Sequence, residues 1–222
     1  MIKEEKFFEV LNILNEYNLL NDLVVIGTWA EFLYKENNLL QGFNSESKTM
    51  DIDFLIINKN KPQDKINLPL IFKEKGYLVD KDRFNDTTII MTDDGFQLEF
   101  LLSKLGEGLE HSLETNTGIK ALTLRHLDIL KKYSISLEYN GILVKVPIPE
   151  AYIIQKMIIN ETRSKDKQKS DNLKIKNLYK YIDKNKFDEI YNNLSKKQKK
   201  KVENYLNTNI KKEHKKDRGR SR

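Results

Sequence analysis

The sequence predicts an α+β fold: a mixed β-sheet flanked by helices, followed by a mainly helical C-terminal half. Three observations carry that expectation. Short β-branched runs, LVVIG (23–27) and MDIDFLII (50–57), alternate with helix-spaced segments in the first hundred residues. Asp93-Asp94-Gly95 is a turn signal between two further strand-like runs. From Glu150 onward the apolar spacing is helical.

Each element follows from local pattern. Phe7, Val10, Leu11 and Leu14 recur at the spacing of a one-sided helix within 2–20. LVVIG is a buried strand meeting a tight turn, and Thr28 can cap the helix that follows, TWAEFLYKENNLL. QGFNSESKT is polar and turn-rich, a loop that brings Ser45, Ser47 and Thr49 up to the next strand. MDIDFLII is an apolar strand interrupted only by two aspartates. An amphipathic helix is expected over 64–75, stopped by Gly76, then strands over 86–92 and 96–102. Residues 103–118 hold three glycines and read as flexible; 119–132 read as a short strand or turn and then a helix. SISLEYNGILVKVPIP is a hairpin with Asn140-Gly141 at its tip. Helices are expected over 150–162, 170–183, 185–194 and 196–212. The expected division is 1–110 for the α/β part, 111–194 for a mainly helical part, and 195–222 for a basic helix and disordered tail.

Composition bounds what such a chain can do. Its 222 residues have room for one compact domain and a smaller companion. With no cysteine, disulfides, zinc-thiolate sites and cysteine nucleophiles are excluded. No apolar run approaches the roughly 18 residues of a membrane helix. MIKEEKFFEV lacks a signal-peptide apolar core, so the expected location is the cytoplasm. Heavy use of Lys, Asn and Ile with little Arg points to an AT-rich, bacterial-type genome. The net charge of +6 is uneven: Ser195–Arg222 carries twelve basic against three acidic residues, leaving 27 against 30 in the rest. A basic arm of this kind commonly touches phosphate backbones, and a merely solvating tail in a Lys-rich chain reads the same way.

The candidate chemistry starts at Asp51 and Asp53. Residues two apart on a strand share a face, so both carboxylates point the same way while Ile52, Phe54 and Ile56 point the other. Two ionised carboxylates repel and resist burial; a strand end facing solvent with a divalent cation between them resolves the conflict. Glu99 is the only acidic residue in FQLEFLLSKL and could supply a third carboxylate if its strand pairs beside the first. Three carboxylates from two strands suit two metal ions about 4 Å apart. Gly27-Thr28 supplies a strand, glycine and helix start, where backbone N–H groups and the helix dipole favour an anion. No Walker loop or G-x-G-x-x-G motif stands near it. His111, His126 and His214 lack ligand spacing, and Trp29 reads as core or pocket wall.

The series VVIGT, MDIDFLI and QLEFL over 23–102 resembles the DNA polymerase β-like nucleotidyltransferase superfamily, whose pattern is hydrophobic-Gly-[Gly/Ser], a D-h-[D/E] strand and one more acid on a neighbouring strand. Thr28 departs from that pattern but keeps the hydroxyl. PIPEAYIIQKMIINETRSKDKQKSDNLKI is similar to a segment of stand-alone bacterial nucleotidyltransferases, including toxin-type members of abortive-infection systems. That resemblance implies a nucleotide-binding role for Lys156 with Asp171 as companion, Arg163 and Lys169 as further cations, and Asp166 as a competitor of Asp171. It also implies a helical half that completes a nucleotide cleft. The implied activity is transfer of NMP from an NTP to a hydroxyl acceptor (RNA or tRNA, a protein or a small molecule), with release of pyrophosphate. Asp51, Asp53 and Glu99 would be both metal-binding and catalytic, and Gly27 and Thr28 nucleotide-binding. Mg²⁺ or Mn²⁺ is the expected cofactor. The expected partners are the NTP, RNA through the basic tail, and a toxin–antitoxin-type protein. The alternative reading is an inactive module of the same fold that binds nucleic acid or a protein partner.

Overall fold

The computed structural model describes residues 2–44, 49–104, 106 and 108–210. It divides into two compact units, Met1–Leu39 with Asn44–Pro147, and Leu40–Phe43 with Ile148–Arg222.

The first unit is the α/β part. α1 (Ile2–Glu16) buries Phe7, Val10, Leu11 and Leu14, the stripe its spacing predicts. β1 (Leu23–Ile26) is buried along its length and leads into α2 (Thr28–Glu36). β2 (Asp51–Ile56) follows, then α3 (Leu68–Glu74), whose cap is Asn67: its side chain accepts the Leu70 N–H at 3.1 Å. Next come β3 (Leu78–Lys81), β4 (Thr88–Met91), β5 (Gln97–Lys104), β6 (Ser112–Glu114), β7 (Lys120–Arg125) and α4 (Asp128–Lys132). The main sheet runs β1-β2-β5-β4-β3, with β7 also on β5 and β6 on β7. β2 and β7 run parallel to β5 while the remaining pairs are antiparallel, so the sheet is mixed as expected.

β8 (Ser134–Tyr139) and β9 (Ile142–Pro147) form a separate hairpin. Asn140 and Gly141 at its tip both have positive φ, 50° and 82°, the twist a two-residue hairpin turn requires. The hairpin is tied to α2, where the Tyr34 hydroxyl donates to the Pro147 carbonyl at 2.6 Å and the Asn37 amide to that of Glu138 at 3.0 Å.

The two faces of β2 and β5 differ. Ile52, Phe54, Leu98 and Phe100 are buried on one, where the Phe54 and Phe100 rings stack at 5.4 Å. The other carries Val24, Ile26, Leu55 and Leu101 packed with Leu127 and Leu130 around α4. Asp51 and Asp53 lie on this second face, beyond the end of its apolar cluster, by the period of two along β2.

The second unit is helical. α5 (Pro149–Ile159) is buried on every side, the signature of a central helix, and α6 (Lys165–Leu178), α7 (Lys184–Asn192) and α8 (Lys196–Tyr205) pack on it. The buried Glu150 carboxylate accepts the Asp183 N–H at 2.8 Å, fixing the start of α7, and a Ser195–Gln198 capping box opens α8. A π-helical turn, Leu206–Ile210, continues it. The expected disordered tail lies, from residue 211, outside the described residues.

Several boundaries differ from the sequence expectation. The helical unit begins at 148 rather than 111, because 112–147 is spent on β6, β7 and the β8–β9 hairpin. β3 and β6 are additional strands: β3 is an exposed edge with little alternation, and β6 has only three residues. α3 starts at Leu68 rather than 64, where Asn67 and Pro69 supply start signals.

Candidate functional site

The site is built around the end of β1. Gly27 has φ 70° and ψ −149°, a backbone region essentially open to glycine alone. It is itself the N-cap of α2, with Thr28 as the first helical residue. The expected Thr28 cap is therefore corrected by one position. Register explains why a glycine stands here: Ile26 pairs with Asp53 across β1 and β2, which sets the turn against the Asp53 side chain. A Cβ added at Gly27 would run into the Asp53 Oδ2 and stand 3.4 Å from its Cγ. The missing side chain is the space in which the carboxylate sits. Thr28 is buried at the helix start, and Trp29 is core, stacked on Phe7 at 4.2 Å.

The parallel pairing of β2 with β5 aligns the acids. Asp51 is the partner of Gln97, and Asp53 of Glu99. Register partners share a face, so Asp51, Asp53, Gln97 and Glu99 form one polar patch where both strands begin. The Gln97 N–H donates to the Met50 carbonyl at 2.7 Å, and the Thr49 hydroxyl donates to that of Asp51 at 3.1 Å, holding the entry into β2. Asp51 and Asp53 are half-buried and Glu99 is exposed. Ser45 and Ser47 lie outside the described residues.

All donors in this patch are oxygens, and carboxylates at a solvent-facing strand start are the chemistry a hard divalent cation takes. The Gly27 cradle that seats one carboxylate is further reason to regard the residues as fitting such an ion. Among the described residues, no group of three or more acidic or imidazole side chains is gathered closely enough to hold a metal ion by itself, so Asp51, Asp53 and Glu99 do not form a ready-made three-ligand site.

Sequence reasoning gave no part to Gln97 or to the groove beyond Glu99. Asp82, Asn85, Thr87, Ile89, Gln97 and Glu99, with apolar residues such as Leu98, Phe100 and Leu122, line a small depression of about 110 Å³, open to solvent. The period of two back from Glu99 would have found Gln97; nothing local predicts the rest.

The remaining nucleotide-binding candidates lie in the helical unit. Lys156 on α5 and Asp171 on α6 are both buried, with Nζ 2.5 Å from Oδ1. The Arg163 Nε lies 3.1 Å from the other oxygen, Oδ2, close enough for an ion pair but outside hydrogen-bond alignment. Burial pushes the Lys156 ammonium down from its usual range, against the opposing pull of Asp171. Lys169 is exposed and pairs with Asp166 one turn away, at 3.7 Å. Gly27, Asp51, Asp53 and Glu99 are thus brought together in the first unit, while Lys156 and Asp171 are brought together in the second.

A family model described as nucleotidyltransferase matches residues 5–197. Among solved structures, an antigenic nucleotidyltransferase-like protein from Paracoccidioides brasiliensis is 15% identical, with a TM-score of 0.49 over 89% of this chain and 84% of that one. The lincomycin-bound lincosamide antibiotic adenylyltransferase LnuA is 12% identical, with a TM-score of 0.46 over 79% of this chain and 96% of that one. The antibiotic-resistance factor ANT(2'')-Ia is 13% identical, with a TM-score of 0.46 over 96% and 95%. No curated protein matches the chain.

Proposed function

The chain belongs to the nucleotidyltransferase family, and from that premise we propose that it transfers a nucleoside monophosphate from an NTP to a hydroxyl acceptor with release of pyrophosphate. The observation that carries the reading is the register Ile26–Asp53–Glu99, which lines up the Gly27 turn and two carboxylates across three adjacent strands.

Asp51, Asp53 and Glu99 would hold Mg²⁺ or Mn²⁺. When bound, the metal ions neutralise triphosphate charge and polarise the reacting oxygens. The chain's own residues do the positioning. The start of α2, opened by Gly27, receives the triphosphate, because N–H groups and the helix dipole there favour an anion. Thr28 belongs to that phosphate-binding turn. Asp51 and Asp53 sit on the sheet face beside it, so their charge is spent where the phosphates arrive. Glu99 accepts the proton of the attacking hydroxyl.

In the helical unit, Lys156 and Lys169 serve the nucleotide as cations. Asp171 holds Lys156 in place, and the 2.5 Å pair supports that positioning role. The basic C-terminal segment serves an RNA partner. No helix among the described residues is long and apolar enough to cross a membrane.

The test is incubation with each labelled NTP, Mg²⁺ or Mn²⁺, and separated RNA, protein and small-molecule fractions of a cell extract. The reading expects label in one fraction and free pyrophosphate in step with it. Calorimetry showing no metal-dependent binding of any NTP would overturn it.

A further inference from the structure

The groove next to Glu99 arises from an interruption in the sheet. β2 takes one edge of β5 from Gln97 to Leu102. The opposite edge is shared: β4 pairs with Gln97 and Leu98, and β7 pairs with Leu101–Lys104. Glu99 and Phe100 fall between the two partners. β4 and β7 start close together, where the Lys120 N–H donates to the Thr88 hydroxyl at 2.9 Å. The notch opens on the carboxylate face, since Met91 pairs with Gln97 and alternation puts Ile89 and Thr87 on the side of Glu99.

Its wall chemistry is specific. Asp82 uses Oδ1 to accept the N–H groups of Phe84 and Asn85, at 2.8 and 3.0 Å, and the residue lines the groove. Asn85 uses its carbonyl oxygen on Thr87, whose N–H and hydroxyl donate to it at 3.1 and 2.6 Å, leaving its Nδ2 donor. Gln97 offers a donor and an acceptor, and Glu99 accepts. No lysine or arginine is among the lining residues, which carry two carboxylates. Neighbouring hydroxyls, each both donor and acceptor, fit that inventory, and with Glu99 engaged in the metal the Asp82 carboxylate attracts an ammonium group and repels a phosphate.

Position completes the argument. Across the sheet, on one face, stand the Gly27 turn at β1, Asp53 on β2, Glu99 on β5 and then the notch. A phosphorus held over β2 and β5 has the triphosphate side at β1 and the notch on the other side, the opposed approach an in-line displacement needs.

Resting on the nucleotidyl-transfer reading above, we infer that the notch between β4 and β7 is the acceptor subsite, and that its acceptor is a small polyhydroxyl molecule, neutral or bearing an ammonium group, rather than a polyanion such as RNA. The acceptor hydroxyl oxygen bonds to the α-phosphorus. The bond from that phosphorus to its bridging oxygen breaks, the electron pair leaves with pyrophosphate, and the hydroxyl proton passes to Glu99.

The test offers α-labelled NTPs and Mg²⁺ to the full chain with four acceptors at equal concentration: glucosamine, glucose, glucose 6-phosphate and a short oligoribonucleotide. Label should enter glucosamine and glucose at least roughly tenfold faster than the two anions, the discrimination expected of like-charge juxtaposition. Asn85→Lys and Thr87→Lys, both at the groove rim, should erase the advantage of glucosamine over glucose 6-phosphate. Calorimetric NTP binding should stay within about twofold in both variants, since neither residue is on the Gly27 side. Preferred labelling of the oligoribonucleotide or sugar phosphate overturns the inference, as does an unchanged ranking in both variants. Binding of NTP with no sugar labelled also overturns it. Absence of NTP binding in the wild type overturns the nucleotidyl-transfer reading itself.

Discussion

Replacing Gly27 with alanine is the sharpest probe of how the site is assembled. Two costs add. The backbone at φ 70° and ψ −149° is essentially glycine-only, and holding another residue there costs about 1–3 kcal/mol. The new methyl would also occupy the position of the Asp53 Oδ2, so the carboxylate must move. The second cost is separable: in an Asp53→Ala background the obstructing oxygens are gone and only the backbone cost remains. A double-mutant cycle should therefore give a coupling on the order of 0.5–3 kcal/mol. The readout is urea unfolding followed by the fluorescence of Trp29, the only tryptophan, which is buried two residues after the turn. Transfer activity should fall by about 10²-fold in Gly27→Ala, the typical effect of a group displaced by about 1 Å. The reasoning is refuted if Gly27→Ala costs less than about 0.5 kcal/mol, or if its cost is the same with and without Asp53.

Three further outcomes are expected. Asp171→Ala leaves the buried Lys156 ammonium without its counter-charge and should cost about 3–5 kcal/mol in urea unfolding followed by circular dichroism, whereas Lys156→Met with Asp171→Leu should lie near the parent. If Lys156 serves the nucleotide as proposed, that same stable double variant should bind NTP more weakly in calorimetry. Tyr34→Phe leaves the buried Pro147 carbonyl without its 2.6 Å donor and should lower stability by about 1–3 kcal/mol, read by Trp29 fluorescence. Leu55→Ala empties a fully buried position in the apolar cluster on the carboxylate face and should cost about 2–5 kcal/mol by the same readout.

The parts of the site that follow from short-range rules were legible in the sequence. Asp51 and Asp53 share a face because strand alternation has a fixed period, and the apolar residues of MDIDFLII identify the strand without reference to anything distant. Asp93-Asp94-Gly95 and Asn140-Gly141 mark hairpins for the same local reason, and the helix starting after Gly27 is visible from its spacing. What was not legible depends on partners far along the chain. The Asp53–Glu99 register joins strands separated by α3, β3 and β4, so their adjacency could be supposed but not aligned. The collision between a residue at 27 and the Asp53 carboxylate appears only once β1 and β2 are in register. The notch exists because β5 changes partners in mid-strand, which no property of QLEFLL announces. Lys156 and Asp171 sit fifteen residues apart on different helices; the resemblance named them as companions, but spacing alone does not announce their ion pair. The start of the helical unit was set too early because Gly106, Gly108 and Gly118 read as a boundary, although the hairpin that precedes α5 was itself legible.

The central claim is that carboxylates aligned on β2 and β5 perform nucleotidyl transfer, and the rate of pyrophosphate release tests it most directly. The wild type, Asp51→Asn and Asp53→Asn are compared with NTP, Mg²⁺ and an acceptor fraction, each protein first shown to be folded by its Trp29 fluorescence. The account predicts release by the wild type that stops when the metal is chelated, and a fall of at least roughly 10²–10³-fold in each variant. Release within about tenfold of wild type in both folded variants would contradict it.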